Sequence, residues 1–268
     1  MGKDRQIDVM GIVNLTDDSF YEGSRCVSVD AAVSRIGAML EEGADIIDLG
    51  ACSTRPGSLP VGEKEEWARL EPVLKAARAA FPDARFSIDT YWASVVRNAY
   101  DLIGDFIVND ISAGEDDPMM LPVVGELGLT YIAMHKRGTP ESMQGLSDYS
   151  DVVEDVKAYF EEFSEKAEHY GIRNWVLDPG IGFAKTIEQN YELLRRLDAF
   201  KELADSPRIL IGVSRKSLIY KYFNISPAES LPATQVLGYA ALTKGADILR
   251  VHDVAEAVRT VALYRMLA

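Results

Sequence analysis

The sequence predicts an α/β protein built as a single (β/α)8 TIM barrel. Eight short apolar runs alternate with eight longer amphipathic segments along the chain. Alternating strands and helices imply a parallel sheet, and eight such units imply a sheet that closes on itself. The chain has 268 residues, close to the about 250 that a barrel of this kind typically needs. A polar or ionisable group follows every apolar run, as expected where the carboxyl ends of barrel strands carry the chemistry.

The predicted strands are short runs rich in β-branched and apolar residues. Most are continuously apolar rather than alternating, which is typical of strands buried on both faces of a parallel sheet. In chain order they are Ile7–Val13, Ile46–Leu49, Arg85–Ile88, Phe106–Val108, Thr130–Met134, Trp175–Leu177, Arg208–Ile211 and Ile248–Val251.

The segments between the strands have apolar residues at helical spacing. In Val152–Tyr170, for example, apolar residues recur on one face with acidic residues between them. The predicted helices are Ala31–Glu42, Glu63–Ala80, Ala93–Ala99, Met119–Leu127, Val152–Tyr170, Ile187–Phe200, a bent pair across Leu218–Lys244, and Val254–Leu267.

No low-complexity segment or linker divides the chain, so we expect one domain over residues 1–268, although the length alone would also allow two. Gly-Ala-Asp precedes a predicted strand at Gly43 and again at Gly245, as expected for a helix-ending glycine before a strand. The alternative fold is an open doubly wound sheet. It is disfavoured because no GxGxxG motif follows the first strand.

The composition is that of an ordinary globular protein, with 47% hydrophobic and 26% charged residues. A formal charge of −14 argues against nucleic acid and anionic membrane surfaces as partners. The two cysteines lack metal-ligand spacing, which favours a reducing compartment. Without an apolar signal core or an apolar run of about 20 residues, we expect a cytoplasmic protein.

Cationic groups gather after the last two predicted strands, where TIM barrels favour phosphate sites. Four groups that are or can become positively charged stand there, and they indicate an anionic, phosphorylated substrate. They are Arg215, Lys216, Arg250 and His252.

The other strands also end in hydrogen-bonding groups. Each group alone is weak evidence for function, but their occurrence at all eight strand ends is much stronger. The further groups are Asn14 with Thr16, Asp17 and Asp18, then Ser53–Gly57, Asp89, Asn109 with Asp110, His135, and Asp178 with Pro179 and Gly180.

These segments, in this order, resemble the dihydropteroate synthase family of the folate pathway. The resemblance spans nearly the whole chain, and the combination of motifs is specific although no single motif is. The matching segments are Met10–Phe20, Ile47–Gly57, Ser87–Thr90, Asn109–Ser112, Met134–His135, Leu177–Phe183, Gly212–Ser217 and Arg250–His252.

The resemblance implies condensation of p-aminobenzoate with (7,8-dihydropterin-6-yl)methyl diphosphate, giving 7,8-dihydropteroate and diphosphate. The implied pterin site has polar groups that match the ring edge, because a carboxylate accepts two N–H groups while an amide both donates and accepts. Met134 and Phe183 would form its apolar walls. The implied pterin residues are Asp89, Asn109, Met134, Asp178, Phe183, Gly212 and Lys216.

Two further subsites follow from the same resemblance. The diphosphate site would consist of Asn14, Arg55, Arg250 and His252, with Asn14 also contacting Mg2+. The p-aminobenzoate site would consist of Thr54, Pro56, Phe183 and Ser217, and sulfonamides should compete there. The implied catalytic set is Asp89, Lys216, Arg250, Thr54 and Arg55.

The implied mechanism is dissociative. Diphosphate leaves first, Asp89 helps to stabilise the pterin methylene cation, and the aniline nitrogen then attacks. The resemblance also implies a homodimer, with Leu218–Lys244 and Val254–Leu267 as contact surfaces.

The chain departs from the family motif at two positions. Asp17 stands where the family commonly has Pro, and Cys52 stands where it has Glu. Cys52 is expected to be a small packing residue. Neither departure touches the implied pterin residues, but both bear on loop motion and metal affinity.

Other interpretations remain open at this point. Asp89 and Asp178 could cap helices, and His135 could be structural or a general base. The chain could instead be a pterin-dependent methyltransferase module, a non-catalytic pterin-binding protein, or a Schiff-base aldolase that uses Lys216.

Overall fold

The computed structural model describes residues 5–15, 28–52, 61–138, 145–204 and 206–268. Eight parallel strands form a closed barrel in sequence order, with the last strand pairing to the first. The prediction of a (β/α)8 barrel is therefore confirmed. The strands are β1 Asp8–Asn14, β2 Ile46–Gly50, β3 Phe86–Asp89, β4 Ile107–Asp110, β5 Thr130–Met134, β6 Trp175–Asp178, β7 Arg208–Ile211 and β8 Ile248–Val251.

Helices connect the strands on the outside of the barrel. Several begin at side-chain caps, which satisfy the free backbone N–H groups of a first turn. Ser28 caps α1, Asp151 caps α5, and Thr186 forms a capping box with Gln189 at α6. The helices are α1 Val29–Glu41, α2 Glu63–Ala80, α3 Ala93–Ile103, α4 Met120–Leu127, α5 Val152–His169, α6 Ile187–Arg195, α7 Ser217–Phe223, α8 Leu231–Thr243 and α9 Val254–Leu267.

The predicted element order is confirmed, and the differences lie at element ends. The helix predicted over Ile187–Phe200 ends at Arg195 and continues as the 3-10 helix Leu197–Glu202. The bent pair is α7 and α8, separated by the 3-10 turn Ala228–Ser230. The bend has a backbone cause, because Asn224 ends α7 in the left-handed conformation with φ 52°.

Two apolar layers hold the barrel. Outward-facing strand residues pack against the helices, and inward-facing residues fill the barrel interior. The interior layer occludes the amino-terminal part of the barrel, so the polar strand ends lie at the opposite mouth. Its members are Met10, Ile46, Ile107, Ile132, Val176, Leu210 and Ile248.

Within the described parts of the chain, none of the helices combines the length and apolar character required to cross a membrane.

Candidate active site

The strand register places polar residues side by side at the carboxyl-terminal mouth of the barrel. Gly50 pairs with Asp89, and Asp89 pairs with Asn109 on the next strand. Met134 pairs with Asp178 in the same way. Asp89, Asn109 and Asp178 lie within the strands rather than after them, so the sheet itself fixes their directions.

Arg250 on β8 connects two of the acidic residues. Its Nη2 lies 2.6 Å from Asp48 Oδ2 and 2.8 Å from Asp89 Oδ2, and its Nε donates to Asp48 Oδ2 at 2.7 Å. Asn109 Nδ2 donates to Asp48 Oδ2 at 3.2 Å. Among the described residues, the remaining Arg250 nitrogen, Nη1, has no hydrogen-bond partner. A guanidinium fixed on one side therefore keeps donors available on the other.

Asp89 lies at the centre of the charged cluster. Burial raises the pKa of its carboxyl group to about 7, and nearby Asp48, Asp110 and Asp178 act in the same direction. Arg250 opposes this rise. Asp89 can therefore exchange a proton near neutral pH.

Asp178 and Asn109 present acceptors to the mouth of the barrel. Asp178 Oδ1 accepts from the backbone N–H of Gly180 at 2.8 Å. Within the described part of the chain, Asp178 Oδ2 and Asn109 Oδ1 accept no hydrogen bond. Burial raises the pKa of Asp178, while Lys216 opposes the rise. The two unfilled acceptors suit a ligand with adjacent N–H groups.

Lys216 lies close enough to Asp178, Arg250 and Asp89 for their charges to act on its ammonium group. Its Nζ donates to the Ile181 carbonyl at 2.6 Å and stands 4.9 Å from the centre of the Phe183 ring. Burial lowers the pKa of Lys216 to about 8, with Asp178 opposing that change. A Cβ at Gly212 would lie 3.8 Å from Lys216 Nζ and 3.9 Å from Arg250 Cβ. Gly212 therefore leaves a gap between the two cations.

The remaining predicted residues take varied positions. Asn14 ends β1 beside Gly50, Met134 is buried at the end of β5, and Ser217 begins α7 next to Lys216. The predicted residues Thr54, Arg55 and Pro56, together with Asp17, lie outside the described residues.

His252 differs from the expectation of a cationic group. Its Nδ1 lies 3.0 Å from Ser214 Oγ. Burial lowers the pKa of His252 to about 3, and the charge of Arg250 lowers it further. Near neutral pH the imidazole is therefore neutral and contributes hydrogen bonding rather than positive charge.

Arg215 also departs from the prediction of a cation that faces an anionic substrate. Its Nε and Nη2 donate to the Asp253 carboxylate at 2.9 and 2.8 Å. Its Nη1 donates to the carbonyls of Pro227 and Ala228. The guanidinium is thus used to hold the α7–α8 connection, a role that sequence spacing could not reveal.

The capping interpretation is wrong for both acidic residues. The N-cap of α3 is Trp92, and the backbone N–H of Ala93 donates to Asp117 rather than to Asp89. Thr186, not Asp178, caps α6.

His135 is buried, and its Nδ1 lies 3.0 Å from Lys185 Nζ. Burial lowers the pKa of His135 to about 2, and the nearby charges of Lys185 and Arg137 lower it further. A base this weak is poorly matched to neutral pH, so the geometry supports the structural interpretation.

Several buried ionisable residues near the mouth were not assigned from the sequence. Asp48 is a carboxylate inside an otherwise apolar strand, and that mismatch was the available signal. Glu66 on α2 is completely buried, with a pKa raised to about 7 by burial. Lys185 has a pKa lowered by burial to about 7; nothing in the sequence distinguished it from a loop lysine.

Cys52 is partly buried, with Sγ 3.6 Å from the Tyr91 hydroxyl, which fits the expected packing role. Across the ranges that the structure describes, no group of three or more His, Cys, Asp or Glu side chains could hold a metal ion.

The sequence matches the family described as "Pterin binding enzyme" over residues 10–252. The chain is 43% identical to the dihydropteroate synthase of Synechocystis sp. over 249 residues, which cover 92% of this chain and 85% of the relative. It is 40% identical to the Escherichia coli K12 dihydropteroate synthase over 252 residues, with 93% and 88% covered.

Solved structures agree. The Yersinia pestis dihydropteroate synthase with a sulfonamide drug superposes with a TM-score of 0.93 at 34% identity, covering 100% of this chain and 96% of that one. The Clostridium difficile enzyme in the presence of pteroic acid gives 0.89 at 37% identity, with 99% and 97% covered. The Xanthomonas albilineans enzyme with 4-aminobenzoic acid gives 0.88 at 35%, with 99% and 94% covered.

Family, relatives and neighbouring structures therefore lead to one assignment. The chain belongs to the dihydropteroate synthase family of pterin-binding enzymes, which are transferases of folate synthesis.

Proposed function

We propose that this enzyme condenses (7,8-dihydropterin-6-yl)methyl diphosphate with p-aminobenzoate, giving 7,8-dihydropteroate and releasing diphosphate. The observation that carries the proposal is the pair of acceptors, Asp178 Oδ2 and Asn109 Oδ1, that no described residue fills, together with the nearby Lys216 ammonium, whose charge acts on Asp178. The Clostridium difficile and Xanthomonas albilineans structures, with pteroic acid and 4-aminobenzoic acid, support the same substrate pair.

The pterin ring fits the polarity of this space. Its aminopyrimidinone edge offers adjacent N–H groups, which Asp178 Oδ2 and Asn109 Oδ1 can accept. Lys216 can donate to the ring carbonyl and a ring nitrogen, while Phe183 and Met134 supply apolar surface. Buried polar groups reject rings that leave them unpaired, so we expect selectivity for the pterin edge.

The diphosphate would lie against Arg250, whose Nη1 is available within the described part of the chain. Arg55 and the neutral His252 would complete this subsite. Planar guanidinium groups match phosphate oxygens in geometry as well as charge.

Mg2+ would be held by Asn14 together with diphosphate oxygens and water. One neutral amide oxygen, without a cluster of acidic ligands among the described residues, suits an ion that keeps several waters and binds through substrate phosphates. When bound, the ion would neutralise part of the charge on diphosphate.

The reaction we propose is dissociative. The C–O bond to diphosphate breaks first, and Arg250 stabilises the negative charge that develops on the leaving group. Ionised Asp89 stabilises the pterin methylene cation, and the aniline nitrogen of p-aminobenzoate then forms the new C–N bond and loses a proton. The pKa of about 7 at Asp89 allows the ionised form to be present at neutral pH.

The p-aminobenzoate would bind beside the pterin, against Phe183 and Ser217, with Thr54 and Pro56 contributed by the preceding loop. Sulfonamides share with p-aminobenzoate an aniline ring that carries a polar or anionic para substituent, so we expect them to compete with p-aminobenzoate. The Yersinia pestis enzyme was solved in complex with a sulfonamide drug, which supports sulfonamide binding by this family.

The test is diphosphate release by purified protein with Mg2+, the dihydropterin diphosphate and p-aminobenzoate. Asp178→Asn and Lys216→Ala should each lose dihydropteroate formation, while Lys244→Ala, a change at an exposed helix-end lysine, should not. Tight pterin binding without turnover would instead identify a non-catalytic pterin-binding protein. Methyl transfer without diphosphate release would identify a methyltransferase.

We also propose that the enzyme is a homodimer. Large apolar side chains are exposed along the last three helices, including Tyr222, Phe223, Val236, Leu263 and Met266. Tyr222, Phe223 and Val236 line one surface groove, and contiguous exposed apolar surface commonly marks association sites. Light scattering after gel filtration should give twice the chain mass, and a concentration-independent monomer would exclude the proposal.

A further inference from the structure

Lys185 follows β6, and its ammonium group is enclosed by protein. Nζ donates to the Gly180 carbonyl at 3.1 Å and to the Phe183 carbonyl at 3.0 Å. It also lies 3.0 Å from His135 Nδ1 on the neighbouring strand. These three partners match the three protons of an ammonium group, so the imidazole proton is assigned to Nε2.

The three contacts stabilise one compact turn. Gly180 has φ 72°, and a Cβ there would lie 1.9 Å from the His135 carbonyl oxygen. Only glycine fits this position, and the turn packs directly on the end of β5. The same turn carries both Asp178, whose Oδ1 accepts from the Gly180 N–H, and Phe183. Lys185 therefore holds two predicted pterin contacts relative to each other.

Asn190 holds the same turn without charge. Its Oδ1 accepts from the Gly182 N–H at 2.6 Å, and its Nδ2 donates to the Lys185 and Thr186 carbonyls. Hydrogen bonds from an uncharged side chain, Asn190, and from a charged one, Lys185, therefore hold the turn, and substitutions can test the two contributions separately.

The charge of Lys185 acts on a specific neighbour. Burial lowers the pKa of Lys185 to about 7, and the negative charge of Asp178 opposes that fall. In turn, Lys185 is one of three cations that oppose the rise in the pKa of Asp178. Other charged groups surround this pair. Lys216 and Arg137 lower the pKa of Lys185, and Lys216 and Arg250 oppose the rise in the pKa of Asp178. Neutral His135 and the Tyr149 ring, 6.0 Å from Nζ, lie beside Lys185, and Asp89 lies near Asp178.

We propose that Lys185 is a positioning residue for pterin recognition: it fixes the β6–α6 turn that carries Asp178 and Phe183, and with Lys216 and Arg250 it supplies positive charge to the Asp178 carboxylate that accepts the ring N–H groups. The inference rests on the proposed function, because it assumes that Asp178 meets the pterin. Lys185 itself does not contact the pterin in this proposal; it acts by holding Asp178 and Phe183 in position.

The decisive variants remove the charge in two ways. Lys185→Gln keeps N–H donors for the two carbonyls but is neutral, and Lys185→Met removes both charge and donors. Lys185→Arg keeps the charge. Asn190→Ala loosens the same turn without changing its charge, and Lys157→Met is a control at a partly exposed helix position paired with the exposed Glu202. If Lys185→Met does not fold, Lys185→Gln still separates charge from packing.

The measurement is calorimetric binding of the dihydropterin diphosphate between pH 5 and pH 9, with steady-state kinetics alongside. Because the ligand titrates identically in every experiment, differences between variants report on the protein. For Lys185→Gln we expect the acid limb of binding to move to higher pH by about one unit. The affinity should fall roughly tenfold at pH 6 and much less at pH 8.5.

The other variants should separate the effect of the Lys185 charge from the effect of the turn's packing. Lys185→Arg should keep the wild-type acid limb, and Asn190→Ala should raise the KM for the pterin at all pH values without moving the limb. In the neutral Lys185 variants the KM for the pterin should rise more than kcat falls.

A wild-type acid limb and wild-type KM in Lys185→Gln would overturn the inference, as would an equal shift of the limb in Asn190→Ala. Failure of the proposed function would look different, because the wild-type protein itself would then release no diphosphate.

Discussion

Arg250 and Asp48 form a buried ion pair at 2.6 Å between two residues 202 positions apart in the chain. They lie on β8 and β2, which flank β1 in the closed barrel, so the pair spans the strand between them. Asp48 has no solvent exposure, and Arg250 is only partly exposed. The pair therefore ties the site residue Arg250 to the barrel while its outward nitrogen remains available.

Asp48→Ala should destabilise the protein and displace Arg250. Removing one partner of a buried ion pair costs about 3–5 kcal/mol, and the remaining contact with Asp89 places the loss at the low end. The KM for the pterin diphosphate should rise at least tenfold because the guanidinium loses its fixed direction. Urea unfolding and steady-state kinetics test both effects. The control is Asp198→Ala, at an exposed pair with Lys244, which should leave both unchanged; equal behaviour of the two variants would contradict the prediction.

Glu66→Gln should stabilise the protein at alkaline but not at acidic pH. Burial raises the folded-state pKa of Glu66 from 4.5 to about 7, so the folded state binds more protons than the unfolded state between these values. The unfolding free energy of the wild type should therefore fall as pH rises through this window. The neutral amide avoids that loss, giving a gain of about 2–3 kcal/mol at pH 8 and little difference at pH 4.5.

Urea unfolding at pH 4.5, 6, 7 and 8 measures this dependence. Glu65→Gln is the matched control, because Glu65 is the neighbouring residue on α2, is exposed and pairs with Arg69. It should show no pH-dependent difference from the wild type. A constant difference for Glu66→Gln across the pH series would show that packing, not ionisation, is responsible.

Asp89 should set the acid limb of the reaction. Its pKa of about 7, raised by burial and opposed by Arg250, means that the ionised form is lost as pH falls below neutrality. If ionised Asp89 stabilises the cation, kcat/KM should fall roughly tenfold per unit below about pH 7. Asp89→Asn should lower kcat at least 100-fold, as expected for loss of a charge at the reacting centre, and should leave no limb at this pH. A wild-type profile that is flat from pH 5.5 to 8 would exclude this role.

The sequence was sufficient to predict the barrel because the alternation of strands and helices is carried by local periodicity. It also identified the strand-end residues, because the carboxyl ends of parallel strands must meet. It could not assign Arg215 correctly, since Asp253 and the Pro227 and Ala228 carbonyls approach only in the folded chain. Likewise, the neutrality of His252 depends on its burial and on Arg250.

Removal of the guanidinium group should mainly lower stability at Arg215 and mainly raise the KM for the pterin diphosphate at Arg250. Arg215 is buried against Asp253 and two carbonyls, so Arg215→Met should cost about 3–5 kcal/mol of stability while the folded fraction keeps its KM for the pterin diphosphate. Arg250→Met should instead raise that KM at least 100-fold, because the positive charge and the available Nη1 donor facing the diphosphate are both lost. Urea unfolding curves and steady-state kinetics per folded molecule separate the two effects. Both are measured at a temperature at which Arg215→Met is folded in the absence of urea. If Arg215→Met raises the KM as much as Arg250→Met, the Arg215 guanidinium contributes to the anion site in solution and the assignment to the α7–α8 connection is wrong.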